Sequence, residues 1–352
     1  MPVLARMVGA PLVIDIRTGA VAGLAPLLAD RRISSGGHVA IAVGPGQGEE
    51  IAATVRPALE NCEIFPVADG DLAAATGLAG RLRGGFYDAL VAIGGGRTLD
   101  VAKYAASLTG LPMVAVATNL AHDGIASPVS SLEHEGHKAS YGVQMPIAVV
   151  VDLDYVRRSP PEMRRSGIGD AASNLSAIAD WELAGRERGE EVDGLAVSFA
   201  RTAAEAVAGR SDGIEDDAFL TVLADALVLS GLAMAVAGSS RPCSGGDHEI
   251  VHALDHLFPG TGNHGELAGM GALFASHLRG DEELSEYLDT CLARHGLPRV
   301  PSDLGLTDEQ FARAVVHAPT TRPDRFTIVE HLGLDEPAAR RWVREYVDAF
   351  DR

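Results

Sequence analysis

Short runs of apolar, largely β-branched residues alternate with amphipathic segments from the start of the chain to about residue 157. Five of these runs predict strands: HVAIAVG (38–44), CEIFPVA (62–68), YDALVAIGGG (87–96), LPMVAVAT (111–118) and PIAVVVDL (146–153). Three segments between them predict helices: EEIAATVRPALE (49–60), DLAAATGLAGRLR (71–83) and LDVAKYAASLTG (99–110). Because two parallel strands need a crossover of about this length, the alternation predicts βαβ units around a mostly parallel sheet.

The pattern changes towards the end of this region. Residues 127–145 are polar and contain glycine, which predicts a hairpin or flap inserted before the last strand. The segment RRSPPEMRR (157–165) carries a proline pair that breaks regular structure, so we place a domain boundary there. Helical periodicity dominates beyond it, in residues 169–186, 194–209, 216–238, 247–258 and 281–296. We therefore expect an α/β domain over residues 1–157 and an all-helical domain over residues 158–352.

Composition narrows the class of protein. The 352 residues are 47% hydrophobic and 22% charged, as in folded globular proteins, and the net charge is −19. A surface this acidic repels phosphate backbones and anionic lipid, so we expect no nucleic-acid partner and no membrane partner. An anionic ligand must then be held locally, by main-chain N–H groups, a helix N-terminus or a bound cation.

The cysteines and the apolar segments indicate a cytoplasmic protein. Cys62, Cys243 and Cys291 are far apart and show no C-x-x-C spacing, which indicates neither disulfides nor a thiolate metal site and fits a reducing compartment. The N-terminal residues lack the apolar run of a signal peptide. The longest uncharged stretch, residues 226–240, is shorter than the roughly 20 residues of a membrane helix and predicts a buried helix.

A glycine-rich turn is the strongest phosphate-binding signal. Gly94, Gly95 and Gly96 follow a predicted strand and precede a predicted helix, where free N–H groups and the helix dipole can hold a pyrophosphate. The alternative is a tight β–α turn that binds nothing. A second cluster in residues 44–48 fits neither a dinucleotide fingerprint nor a P-loop and predicts a loop, at the rim of a cofactor if one binds.

A histidine cluster indicates a metal site. His248, His252 and His256 are spaced by four, which places them on one helical face, and His264 follows a short loop. The alternative is a set of helix histidines hydrogen-bonded to backbone and solvent. A third ligand should be a carboxylate, and Asp170 is a candidate whose alternative role is a helix N-cap.

The same helix matches a protease motif. Residues 248–252 match H-E-x-x-H, in which both histidines bind zinc and Glu249 acts as general base. A protease of that class has no need of five parallel strands and a glycine turn upstream, and a five-residue pattern arises easily by chance. One position after His248, Glu249 is turned by about 100° around the helix. We expect it on the helix surface or behind the ligands.

Five motifs in order, between about residues 10 and 280, resemble the sn-glycerol-1-phosphate dehydrogenases. These belong to the iron-containing alcohol dehydrogenase and dehydroquinate synthase-like superfamily. The motifs are Gly94-Gly95-Gly96 with Asp100 and Lys103, HDGIASP (122–128), GIGD (167–170), SRPCSGGDHEIVHALD (240–255) and HGE (264–266).

The resemblance implies a Rossmann-like nucleotide-binding domain, a helical metal- and substrate-binding domain and an active site in the cleft between them. Asp170, His248 and His264 would bind the metal. Asp123 and His252 would contact substrate as the catalytic residues and candidate proton relay. NAD or NADP would lie on a set of residues that follow two strands and the HDG motif: Gly94, Gly95, Gly96, Arg97, Thr98, Leu99, Asp100, Thr118, Asn119, Leu120, Ala121 and Ser127.

The implied activity is a metal-dependent NAD(P)H oxidoreductase that interconverts dihydroxyacetone phosphate and sn-glycerol 1-phosphate, or a related small polyol or phosphorylated carbonyl. Two imidazoles and one carboxylate suit one divalent metal, zinc, with iron or nickel as alternatives, and leave a position open for a substrate oxygen. We also expect a homo-oligomer. Two alternatives remain: a sugar-phosphate cyclase (lyase) of the dehydroquinate synthase type, and a non-catalytic nucleotide-binding sensor.

The chain departs from the family pattern at three places. Asn119-Leu120-Ala121 replaces a common Ala-Ala-Ser, which removes one hydroxyl expected at the cofactor. Asp247 stands where glutamate is common. Asn174 stands where a lysine often follows the GIGD aspartate, and the lost cation indicates weaker phosphate recognition and a substrate other than glycerol 1-phosphate.

Overall fold

The computed structural model describes residues 9–30, 33–34, 37–59 and 61–351. The first eight residues, which the predicted first domain includes, and Glu60, the last residue of a predicted helix, lie outside this range. Two compact units make up the described chain. The first contains the residues up to Asn119, with Gly124–Ser159 and Met234–Ser239. The second contains Leu120–Asp123, Pro160–Ala233 and the residues from Ser240 onward.

The strands of the described residues form one sheet and one hairpin. Their bounds are β1 (Val13–Arg17), β2 (His38–Val43), β3 (Asn61–Pro66), β4 (Ala89–Gly94), β5 (Met113–Ala117), β6 (Val129–His134), β7 (His137–Gly142) and β8 (Ala148–Asp152). Six strands pair in parallel in the order β1-β8-β5-β4-β2-β3, and β6 pairs antiparallel with β7. The predicted parallel sheet and the inserted hairpin are confirmed.

One strand of the sheet, β1, was not predicted from the sequence. β1 (VIDIR) mixes apolar with charged residues and pairs only with β8, at the edge of the described sheet. Its side chains remain partly exposed, whereas those of β4, β5 and β8 are buried throughout. β1 therefore lacks the continuous apolar run that reveals a central parallel strand.

The helices have the following bounds: α1 (Leu24–Leu28), α2 (Gln47–Val55), α3 (Leu72–Leu82), α4 (Gly96–Thr109), α5 (Leu153–Arg158), α6 (Pro161–Arg188), α7 (Gly194–Ala208), α8 (Asp217–Ala237), α9 (Gly246–Leu257), α10 (His264–Arg279), α11 (Glu282–His295), α12 (Asp308–Thr321), α13 (Ile328–Leu332) and α14 (Glu336–Phe350). From Pro161 to the end of the described chain, every regular element is helical. The predicted class, an α/β region followed by an all-helical region, is confirmed.

The proline pair interrupts the chain less than its sequence suggests. α5 ends at Arg158, and α6 begins at Pro161, so the break covers only Ser159 and Pro160. Proline is tolerated at the first helical position because its missing N–H would have no partner there. The segment 157–165 is therefore mostly helical.

The longest apolar helix is a core helix by its burial. α8 has 21 residues and is the one helix among the described residues that is long and apolar enough to cross a membrane. Its most apolar window is 67% buried inside the protein. This burial agrees with the buried helix predicted from the uncharged residues 226–240.

Candidate functional site

Three residues from three helices of the second unit bring their ligand atoms together. The carboxylate of Asp170 (α6) and the imidazoles of His248 (α9) and His264 (α10) each place one ligand atom within 4.8 Å of the others. Asp170 Oδ1 lies 3.8 Å from His248 Nε2 and 3.6 Å from His264 Nε2. Asp170 and His248 are buried, whereas the side chain of His264 is 30% exposed.

Glycines allow α6 and α10 to approach closely enough for this arrangement. A Cβ atom on Gly265 would lie 1.8 Å from the carbonyl oxygen of Ser166 and 3.0 Å from Cβ of Asp170. A Cβ on Gly169 would lie 2.2 Å from the carbonyl oxygen of Gly265. The two backbones therefore touch beside Asp170 and His264, and a larger residue at either glycine would separate the ligands.

Replacing Gly265 with alanine is expected to destabilise the protein by about 3 kcal/mol and to lower its metal content, because the methyl group has no room against the Ser166 carbonyl. Thermal unfolding and elemental analysis measure both effects. Gly80→Ala is the matched control, since a Cβ on that exposed helical glycine meets nothing within 4 Å and should raise stability slightly. Wild-type unfolding of the Gly265 variant would show that the helix contact can relax.

Neighbouring groups orient the three side chains. Nδ1 of His248 hydrogen-bonds to the carboxylate of Asp247, which leaves Nε2 directed at Asp170. The second oxygen of Asp170 accepts a hydrogen bond from the main-chain N–H of Asp123 at 2.8 Å. Ser166 Oγ donates to the carbonyl oxygen of Ala121 at 2.9 Å and accepts from Gly265 N at 3.0 Å. No sequence motif indicated that Ser166 or the main-chain N–H of Asp123 would contact this group.

Electrostatics at these side chains favour a cation. Burial alone would lower the pKa of His248, but the carboxylates of Asp247 and Asp170 outweigh burial and raise it to about 10. Burial alone would raise the pKa of Asp170, yet the hydrogen bond from His248 and the charge of His264 lower it. The two buried carboxylates thus favour a positive charge at His248.

A divalent metal ion fits this donor set. Ligand atoms about 2.1 Å from a tetrahedral zinc lie roughly 3.4 Å from one another, close to the two separations measured here. Two imidazole nitrogens and one carboxylate oxygen are donors that zinc, iron and nickel accept. Three protein ligands leave a coordination position for substrate.

The other two histidines of α9 do not join this group. Nε2 of His252 lies 2.9 Å from Nη2 of Arg322, which donates to it. His256 is exposed and stacks on His317, with ring centroids 5.1 Å apart and planes inclined by 12°. Among the described residues, the group of candidate metal ligands therefore includes only His248 of the three histidines on α9.

Glu249 is buried, so of the two positions expected for it the helix surface is excluded. Only 1% of the residue is exposed, and its Oε2 accepts a hydrogen bond from Thr327 Oγ1 at 3.0 Å. Burial, and then the nearby charge of Glu330, raise the pKa of this carboxyl to about 9. The H-E-x-x-H pattern does not describe this site, because Glu249 bonds to Thr327 and His252 to Arg322.

The glycine turn of the first unit follows the end of a central strand. β4 ends at Gly94 and α4 begins at Gly96, while Gly94 accepts a hydrogen bond from the N–H of Thr118 at 3.1 Å. Gly95 precedes α4 without a side-chain cap, so the first-turn N–H groups can bind a phosphate. A Cβ on Gly95 would lie 2.7 Å from Nδ2 of Asn119. Thr118 and Asn119 therefore lie beside the turn.

Several predicted cofactor residues have structural partners. Buried Asp100 forms an ion pair with buried Lys103 at 2.9 Å, and Lys103 also donates a hydrogen bond to Ser127 Oγ at 3.4 Å.

Other residues predicted to bind the cofactor differ in exposure. Leu99 is in the core, whereas Arg97 is exposed. Leu120 and Ala121 belong to the second unit and are buried. Of the predicted loop 44–48, residues 44–46 form a loop after β2, and α2 begins at Gln47. A Cβ on Gly44 would lie 2.2 Å from Thr98 Oγ1, so this loop packs on the first turn of α4.

Comparisons with known proteins point to one family. Residues 15–160 match the family model described as iron-containing alcohol dehydrogenase. The glycerol-1-phosphate dehydrogenase [NAD(P)+] of Methanospirillum hungatei is 40% identical over 261 residues, 73% of this chain and 71% of the relative. The enzyme of the same name from Staphylothermus marinus is 33% identical over 347 residues, 95% of this chain and 96% of the relative.

Solved structures show a similar fold. A probable glycerol dehydrogenase from Sinorhizobium meliloti superposes with a TM-score of 0.79 at 22% identity, over 99% of each chain. At this identity the likeness bears on the fold alone.

Proposed function

Because this chain belongs to the glycerol-1-phosphate dehydrogenase family of iron-containing alcohol dehydrogenases, we propose that it interconverts dihydroxyacetone phosphate and sn-glycerol 1-phosphate, or a closely related small polyol or phosphorylated carbonyl. The family is one of metal-dependent NAD(P) oxidoreductases. The observation that carries the proposal is the convergence of Asp170, His248 and His264 within 4.8 Å.

The helical unit would hold the metal and the substrate. Asp170, His248 and His264 are the ligands, Asp247 fixes the ring of His248, and the N–H of Asp123 holds the carboxylate of Asp170. A divalent metal bound there, together with NAD(P)H, supplies the Lewis acidity and the hydride that carbonyl reduction needs. The protein's own residues must then supply orientation and a proton.

We assign the proton to His252 and Asp123. Arg322 donates to Nε2 of His252, so the neutral imidazole carries its hydrogen on Nδ1. The main chain of Asp123 is tied to Asp170, which keeps its side chain near the same ligand group. Both groups are therefore candidates to hold or pass the proton of the substrate's oxygen.

Gly95→Val tests the assignment of the pyrophosphate to the glycine turn. We expect the KM for NADH to rise at least about ten-fold while the melting temperature falls only slightly, because the side chain would occupy the approach to the first-turn N–H groups of α4. Steady-state kinetics and thermal unfolding measure the two effects. Gly77→Ala is the control, since a Cβ on that exposed glycine of α3 meets nothing within 4 Å. Unchanged nucleotide affinity with full activity would make the turn purely structural.

A panel of reductions tests the activity itself. Oxidation of NADH and NADPH is followed with dihydroxyacetone phosphate, dihydroxyacetone and other small ketones and aldehydes, with zinc, iron and nickel exchanged in turn. We expect the phosphorylated ketone to be the best substrate. Substrate conversion without net consumption of added NADH would identify a cyclase, and failure to bind any divalent metal in equilibrium dialysis would identify a sensor.

Three finer assignments belong to the same proposal. We assign zinc as the metal, with iron or nickel as alternatives, which elemental analysis of the purified protein tests. We place the protein in the cytoplasm, because Cys62, Cys243 and Cys291 are free thiols. We also propose a homo-oligomer, which light scattering tests.

A further inference from the structure

Two arginines that follow α12 lie beside the helix that carries His248. Nη2 of Arg322 donates to Nε2 of His252 at 2.9 Å, one helical turn beyond His248. Arg325 donates through Nη2 to Ser240 Oγ at 2.5 Å and through Nη1 to the carbonyl oxygen of Ser244. Both arginines are half-buried. Arg322 therefore lies next to a candidate catalytic histidine, and Arg325, three residues later, contacts the segment that precedes α9.

Positive charge accumulates at this point. The hydrogen bonds of Arg325 go to neutral oxygens, which do not neutralise its charge. Nearby Arg241, in contrast, forms a bidentate pair with the carboxylate of Glu190. Burial, and then the like charges of Arg322 and Arg241, lower the pKa of Arg325 to about 10. Asp324, and Glu249 in its ionised form, contribute opposing charge. An added anion would relieve the repulsion between the guanidinium groups.

We propose that Arg322 and Arg325 bind the phosphate of the substrate and thereby set the enzyme's preference for a phosphorylated over a free ketone. This inference rests on the proposed function and extends it to the phosphate group. A guanidinium group matches phosphate geometry and remains charged. His248 and His252 are separated by one turn, about 6 Å along the helix, which a three-carbon phosphate ester can span.

The two arginines also supply positive charge that this chain lacks at position 174, where the related dehydrogenases often carry a lysine. Asn174 is buried, and its side-chain amide donates to Ser230 Oγ at 2.9 Å and to the carbonyl oxygen of Ala200 at 3.3 Å. That position supplies no cation. The chain as a whole is acidic, with a net charge of −19, so a phosphate needs local cations, which Arg322 and Arg325 provide.

Arg322→Gln and Arg325→Gln test the proposal, with Arg313→Gln as the matched control because Arg313 is exposed on α12. Calorimetry measures binding of inorganic phosphate to the metal-loaded protein, and kinetics measure the ratio of kcat/KM for dihydroxyacetone phosphate to that for dihydroxyacetone. We expect each glutamine variant to bind phosphate at least about ten-fold more weakly and to lower the ratio about ten- to hundred-fold. The Arg313 variant should match wild type in both.

Arg322→Lys and Arg325→Lys keep the test decisive if a glutamine variant fails to fold. Each retains the charge but loses the planar fork, so we expect an intermediate loss of phosphate affinity and of the substrate ratio. Wild-type phosphate binding and an unchanged ratio in the folded variants would overturn the proposal. Arg325 would then only anchor the segment of Ser240 and Ser244, and Arg322 would only hold the ring of His252. Should wild type fail to reduce dihydroxyacetone phosphate, phosphate binding that is lost in the variants would still support the subsite and place the error in the proposed substrate.

Discussion

His264→Ala is expected to abolish tight metal binding and turnover together. The residue supplies one of three candidate ligand atoms, and its Nε2 lies 3.6 Å from Asp170 Oδ1. Two remaining ligands hold a divalent ion far more weakly, so we expect an affinity loss of at least about 1000-fold and a loss of activity of the same order. Elemental analysis after gel filtration and the NADH-linked rate measure the two effects.

The position of His264 makes this variant informative. It is the first residue of α10 and partly exposed, and alanine is well tolerated in a first helical turn, so the fold should survive. His256→Ala is the matched control, because His256 is an exposed histidine that stacks on His317 outside the ligand group. It should retain metal and activity. Full metal content in the His264 variant would remove this residue from the site.

His252→Ala is expected to lose turnover by about 100-fold and to keep the metal. The imidazole bonds to Arg322 and lies outside the group of Asp170, His248 and His264, so its removal takes away a candidate proton carrier but no ligand. Metal analysis and the NADH-linked rate, measured on the same preparation, separate the two effects.

Glu249→Gln is the companion of that variant. The glutamine is nearly isosteric and can still accept the hydrogen bond from Thr327, so we expect at most a few-fold change in turnover. In a metalloprotease of the H-E-x-x-H type, His252→Ala would lose the metal, because His252 would bind zinc. Glu249→Gln would lose activity, because Glu249 would activate water. Loss of metal in His252→Ala together with an inactive Glu249→Gln would contradict the dehydrogenase assignment of α9.

Burial of charge in the second unit decides between the two positions that the sequence left open for Glu249. Helical periodicity places it about 100° from His248, and a charged residue off the active face is ordinarily solvated. Here that other face of α9 packs against the residues around Thr327, so the carboxyl is buried and its pKa is raised. The direction of the residue was predictable from the helix, but what lies opposite it was not.

The sequence by itself determined the local structure and the residue types of the candidate site. The apolar runs of five strands, the turn at Gly94–Gly96 and the helical periodicity after Pro161 depend on residues close in the chain, and hydrophobic patterning reports such neighbours directly. The ordered motifs indicated Asp170, His248 and His264 as ligands, and this assignment stays a prediction.

Only the tertiary structure decided which of these residues meet. It separates His248 from His252 and His256, brings Asp170 to His264 through the contact at Gly265, and places Arg322 beside His252. It also reveals β1, an edge strand without a continuous apolar run. Contacts between residues far apart in the chain depend on how helices and strands pack, and spacing along one segment carries no information about the segment that packs against it.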